Sequence, residues 1–249
     1  PLFIHFSGWK SIFIFSSVVG FITVAAWLVL CGGFKTEKKK REKSKETAAG
    51  FPVVGTGALL IPFVFTVIAI IIQGSLRDGV TTWMPSYISE TFLLDSDISI
   101  LSGVVMPIFA FLCIWATEYL YYQIKSVQKC CFIYFSVSFI AALLILVAVK
   151  SGAALSVFLA SLIVGSMHGI NILQTCMLPR SISNTERLGF ISGIFNGCVY
   201  VGSAISTYGF AHISEIFGWN GTILVWCICS AAGGIICLCL CKNRRYSKI

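Results

Sequence analysis

Charge is what this chain has least of. Of its 249 residues 11% are charged and only 10 are acidic, while 57% are hydrophobic. Soluble domains run at about 25% charged and about 45–50% apolar residues. A soluble fold of this length could not hide so much apolar surface, and the mean hydropathy of +0.90 makes lipid the expected solvent. Catalytic constellations are lacking too. No nucleophile–base pair, paired carboxylates or phosphate loop is visible, which argues against an enzyme. Nothing resembles a ligand cluster, so no metal site and no cofactor are expected. Period-two alternation is missing, and the apolar runs are far too long for barrel strands of about 10 residues. The chain opens on Pro1 with no initiator Met and no signal-peptide layout, so it reads as a fragment or a processed product. The 11 cysteines do not read as a disulfide framework. Most fall in apolar runs, where Cys behaves as a small apolar residue, and a helical C-x-C points its thiols to opposite sides, unsuited to a metal.

Seven runs are long enough to cross a hydrocarbon core as helix, which takes about 20 residues. They cover roughly residues 11–30, 57 to beyond 72, 98–121, 130–149, 153–178, 188–212 and 221–241. Cytoplasmic loops carry the excess of Lys and Arg. Fifteen of the 18 basic residues fall on one side: seven between the first two runs (Lys35 to Lys45), Lys125 and Lys129, Arg180 and Arg187, and four in the tail. Lys10 and Lys150 fall on the other. The amino end is therefore expected outside, the carboxyl end in the cytoplasm, and the protein in the plasma (inner) membrane. This pattern accounts for the basic balance, so no nucleic-acid partner is expected. The one basic residue in neither set is Arg77, which belongs to no cytoplasmic loop.

The expected divisions are a helix over 1–30, a basic loop over 31–53, six helices over 54–241 and a tail over 242–249. The loop contains KTEKKKREKSKE and reads as a solvated linker, with lipid headgroup or partner binding as the other reading. One helix plus six suits the end of a six-plus-six protein. A short repeat agrees with this. Ser7-Gly8-Trp9-Lys10 precedes the first run and Phe217-Gly218-Trp219-Asn220 the last, 210 residues apart, and parallel repeats build many secondary transporters.

With these features the sequence resembles the major facilitator superfamily of twelve-helix transporters. The resemblance covers helix six, the central loop and helices seven to twelve. The stretch SLRDGVTTWMPSYI, residues 75–88, looks like helix seven of the organophosphate:phosphate antiporters. The glycerol-3-phosphate and hexose-phosphate transporters of that family carry Leu-Arg-x-Gly, then Trp-x-Pro-x-Tyr. Residues 189–202 and 216–221 resemble its helix eleven and the approach to helix twelve. The resemblance implies an all-α polytopic membrane protein, seven of whose twelve helices are visible as part of a 6+6 fold. It implies a functional monomer that moves a small organic anion by alternating access. Organophosphate exchanged for inorganic phosphate is the chemistry resembled, and the partners are that anionic substrate, the bilayer and the missing N-terminal half. A sugar-phosphate sensor built on the same fold, and a proton-coupled carboxylate or drug transporter, are the alternatives.

Arg77 is the leading candidate. An intramembrane guanidinium faces a cavity or a partner, and its planar fork suits phosphate or carboxylate. A helix entering near Pro62 puts Arg77 roughly 22 Å in at about 1.5 Å per residue, with Trp83 and Tyr87 as an outer aromatic belt. A helix ending at Gly74 leaves it in the outer loop. In the resembled antiporters the matching arginine is one of two that hold the substrate phosphate, the other lying on helix one. Asp78 departs from that pattern, since the glycerol-3-phosphate transporter has an aromatic residue there. It could pair with Arg77 or carry a coupling proton, although neighbours on a helix point about 100° apart.

His168, Asn171 and Thr175 follow i, i+3, i+7 on one helical face, lining a cavity or bonding a neighbouring helix. Gly189, Gly193 and Gly197 read as a packing stripe. Asn196, Tyr200, Ser203 and Thr207 lie on another face that could line the pathway, and Tyr200 matches a helix-eleven tyrosine at the cavity of the resembled transporter. Pro62 and Pro107 are expected to kink their helices.

Overall fold

The computed structural model describes residues 10–31, 60–147, 152–182 and 188–242. The KTEKKKREKSKE segment, the first Gly-Trp copy, Lys150, Arg187 and most of the tail lie outside the described residues. The chain divides into two compact units, residues 1–50 and 51–249. The first contributes α1 (Lys10–Cys31), 22 residues with no charge beyond its first residue and about 33 Å long at 1.5 Å per residue.

The second unit begins with α2 (Leu60–Phe92), 33 residues long. It is followed by α3 (Ser96–Ser102), α4 (Val105–Ile124), α5 (Val127–Val147), α6 (Ala153–Ile172), a π-helical turn (Leu173–Met177) and α7 (Leu178–Ile182). The last stretch, Leu188–Lys242, is two helices joined at Gly218, whose φ of 70° and ψ of −177° are not helical. That conformation is essentially confined to glycine. We call residues 188–217 α8 and residues 219–242 α9. With that division the described residues hold seven apolar spans, all helical, and the all-α polytopic fold expected from the sequence is the one found.

The prolines act differently from the expectation. Pro62 sits in the first described turn of α2, where a missing N–H costs little. Pro85 lies inside the same helix. Pro107 does not kink a single helix but marks a break. Its ring meets the carbonyl of the fourth residue back, Gly103, and the chain leaves the helix at Gly103–Val104 before resuming as α4. At Pro179 the fourth residue back is Thr175, but there the chain stays helical and takes the wide π turn over Leu173–Met177.

In lipid the hydrophobic effect gives no drive between helices, so close approach of backbones matters most. The closest approach is between α2 and α8. A Cβ on Gly74 would run into the Val199 carbonyl, and one on Gly202 into the Ile71 carbonyl. Ser75 fastens the crossing, its hydroxyl in contact with the carbonyls of Ile71 and Gly202, both at 2.9 Å. The expected packing stripe is not the one used. A Cβ on Gly189, Gly193 or Gly197 would meet nothing within 4 Å among the described residues.

Helix α5 runs antiparallel along α9, where the Phe135 ring fills the space over Gly233. One turn away the hydroxyls of Ser138 and Ser230 bond at 2.9 Å. Ser138→Ala alone leaves Ser230 without this buried partner and is expected to cost about 1 kcal/mol. It should lower the Tm in detergent. The double variant Ser138→Ala/Ser230→Ala should lie closer to wild type, because no buried donor is then orphaned. A double variant less stable than the single one would contradict this.

Candidate substrate site

Arg77 lies near the middle of α2, 17 residues from its described start and 15 from its end. The helix does not end at Gly74, so the reading that left Arg77 in a loop is overturned. The Arg77 side chain is 12% exposed and that of Asp78 28%. The two are joined by a forked ion pair: Nε donates to Oδ1 at 2.6 Å and Nη2 to Oδ2 at 2.8 Å. Adjacent helical positions do diverge by about 100°, but the long arginine stem curls across that angle. Of the two roles open to Asp78 from the sequence, pairing is the one present in the structure. Thr81 adds a bond from its hydroxyl to the Arg77 carbonyl at 2.6 Å.

Two other helices reach this pair. From α6, His168 lies within electrostatic range of both charges. Its Nδ1 donates to the Val164 carbonyl at 2.9 Å, which leaves the Nε2 lone pair available. From α8, Ser203 turns its hydroxyl to the Asp78 carboxylate. A cation, an anion, an imidazole and a hydroxyl from three helices therefore meet at one place, with no net charge when the imidazole is neutral.

Gln73 belongs to the same face of α2, one turn before Arg77. Its Nε2 donates to the Met167 carbonyl at 2.9 Å, next to His168, and its Oε1 is buried without a partner. Asn171 also has a buried, unpartnered Oδ1, and both amide atoms of Gln174 are in that condition within the π turn. Buried polar groups left unpaired are rare and costly, and π turns recur at functional sites. The sequence reading missed Gln73 as a site residue. The signal for Gln73 was a lone amide in the run AIIIQG, four residues before Arg77.

The remaining candidates are less closely joined to this group. Asn196 and Tyr200 sit on α8 at helical spacing from Ser203. Both are exposed, Tyr200 at 60%, and neither bonds to Arg77 or Asp78. Thr207 accepts a bond at its carbonyl from the Trp83 indole at 3.0 Å, which ties α8 to α2 beyond the ion pair. Of the expected outer belt, Tyr87 turns inward and Trp83 is half-buried. Tyr87 is 1% exposed and packs edge-on to Trp219, whose indole donates to Glu90 at 2.8 Å. One more membrane-span charge escaped the count of basic residues. Glu118 of α4 lies with Trp115, Tyr119 and Tyr122 on a groove of about 550 Å³.

The sequence model of the Major Facilitator Superfamily matches residues 1–207, a span that contains the whole Arg77 group. The chain belongs to the Major Facilitator Superfamily. This makes it a multi-pass membrane protein and a secondary transporter rather than an enzyme. A comparison with curated proteins finds no match.

Proposed function

We propose that this transporter carries a small organic anion and that Arg77 binds it, with organophosphate exchanged for inorganic phosphate as the leading substrate pair. The observation that supports this is the placement of Arg77. It is a guanidinium at the middle of an apolar helix, one turn from Gln73, paired with Asp78 and within electrostatic range of His168. An isolated cation there would be expensive. An arriving anion offers the forked, charge-assisted bonds the guanidinium prefers, and the neighbouring amides and imidazole can orient the rest of the substrate. Asn171, Asn196 and Tyr200 are proposed as its outer contacts. The protein is proposed to work as a monomer in the plasma membrane, its carboxyl end in the cytoplasm, with residues 31–53 as a loop between two halves.

A second reading is favoured by the Arg77–Asp78 pair. A site already neutralised by its own carboxylate suits a monoanion that arrives with a proton, Asp78 taking the proton and releasing Arg77. Full-length protein in liposomes separates the two. Phosphate-loaded vesicles should take up an organophosphate, and Arg77→Lys should slow that uptake at least tenfold, because an ammonium lacks the fork. Uptake that follows a pH gradient and ignores internal phosphate would replace the exchange reading with the proton-coupled one. No uptake under either gradient would remove both.

A further inference from the structure

The seam between α5 and α9 carries a second feature, away from the Arg77 group. Ser138 faces Ser230 and Phe135 faces Gly233. Three residues back along α5 match three forward along α9, as antiparallel neighbours require. Four more steps each way bring Cys131 opposite Cys237 on the same seam. Both residues are fully buried. Cys130 and Cys241 lie close enough to act on them electrically, and Lys129 acts on Cys241 in the same way. Within either helix the cysteine spacing suggested no site. The pairing arises only when the two helices are laid side by side.

We propose that Cys131 and Cys237 form a two-coordinate site for a soft monovalent cation of the copper(I) type. Two thiols across a helix seam fall short of the four ligands zinc takes in structural sites. No group of three or more ligating side chains suited to an ion occurs among the described residues. Paired sulfur donors are the set that selects soft ions. Binding converts two thiols and one cation into a bis-thiolate complex of charge −1 and releases two protons to solvent. The sulfur–metal bonds form as the S–H bonds break, with no change of oxidation state. The exposed Lys129 ammonium, which acts on Cys241, lies toward the same end of the seam. Cys241, half-buried one turn beyond Cys237, offers a route in from the helix end.

Silver(I), which is redox-inert, is the probe. Full-length protein in detergent is titrated with Ag⁺ against a competing thiol. Wild type should hold one tight equivalent that Cys131→Ser and Cys237→Ser each lose, with affinity down at least a hundredfold. Cys113→Ser and Cys198→Ser should keep it. Ag⁺ should raise the Tm of wild type and not that of the two seam variants. Should those variants fold poorly, wild type alone decides. After denaturing alkylation and mass spectrometry, Ag⁺ should have shielded Cys131 and Cys237 from N-ethylmaleimide. Unchanged tight binding in the seam variants, or shielding confined to other cysteines, overturns the proposal.

Discussion

Gly202→Val is expected to abolish the folded protein. At this position α8 lies directly on α2, and the first side-chain carbon would overlap the Ile71 carbonyl and the Ser75 backbone nitrogen. Neither is the far end of a flexible side chain, so the clash is relieved only by moving a helix. Overpacking a soluble core costs about 1–3 kcal/mol. Here separation would also break the Ser75 bond to the Gly202 carbonyl and open the matching contact of Gly74 with Val199. In lipid no hydrophobic gain offsets the lost packing. The monodisperse peak in detergent size-exclusion should fall more than tenfold. Gly209→Val, whose new carbon meets nothing within 4 Å among the described residues, should keep that peak within about twofold. Equal peaks for the two variants would show that the α2–α8 crossing is not tight.

The second large effect concerns the ion pair and separates a structural role from a functional one. Arg77→Asp/Asp78→Arg exchanges the two residues and keeps one charge of each sign at neighbouring positions. The pair can re-form, so the folded yield should stay within about twofold of wild type. The guanidinium, however, now leaves the helix about 100° further round. Displacements of about 1 Å can cost a hundredfold where a ligand must be held in register. Uptake in liposomes is therefore expected to drop at least a hundredfold. If the exchanged variant transports normally, the pair only neutralises charge, and Arg77 is not the anion's ligand.

Most of the fold was legible because lipid imposes a simple rule: a span must be long, apolar and internally bonded. Length and composition alone locate the seven spans. What was not legible depends on neighbours. The glycine stripe 189–193–197 has the spacing of a packing surface, yet among the described residues Gly74 and Gly202 are the glycines that seat α2 on α8, Gly74 against Val199 and Gly202 against Ile71. Spacing along one helix cannot reveal which of two faces meets a partner. Arg77 was found as the basic residue that topology did not explain. Gln73 was overlooked because it carries no charge, and its role appears only where Met167 of α6 comes alongside. Asp78 was judged by the angle between Cα–Cβ directions, and the length of the arginine stem overruled that angle. The stripe His168–Asn171–Thr175 assumed a regular helix, whereas the π turn begins two residues before Thr175.

The glycine that separates α8 from α9 also limits how this protein can be handled. Its two helices are joined at Gly218, and Trp219 immediately afterwards is fastened to Glu90. No slack chain lies between them. An epitope, a protease site or a glycosylation acceptor inserted there would have to part the Trp219–Glu90 bond and the Tyr87 contact before it could be read. Such a tag would report its own damage rather than the side of the membrane on which that turn lies. Only two residues, Lys125 and Ser126, separate α4 from α5, so the same warning holds there. Topology is better mapped with single cysteines at exposed Leu93 or Asp95, between α2 and α3, whose chemistry adds no length to the chain.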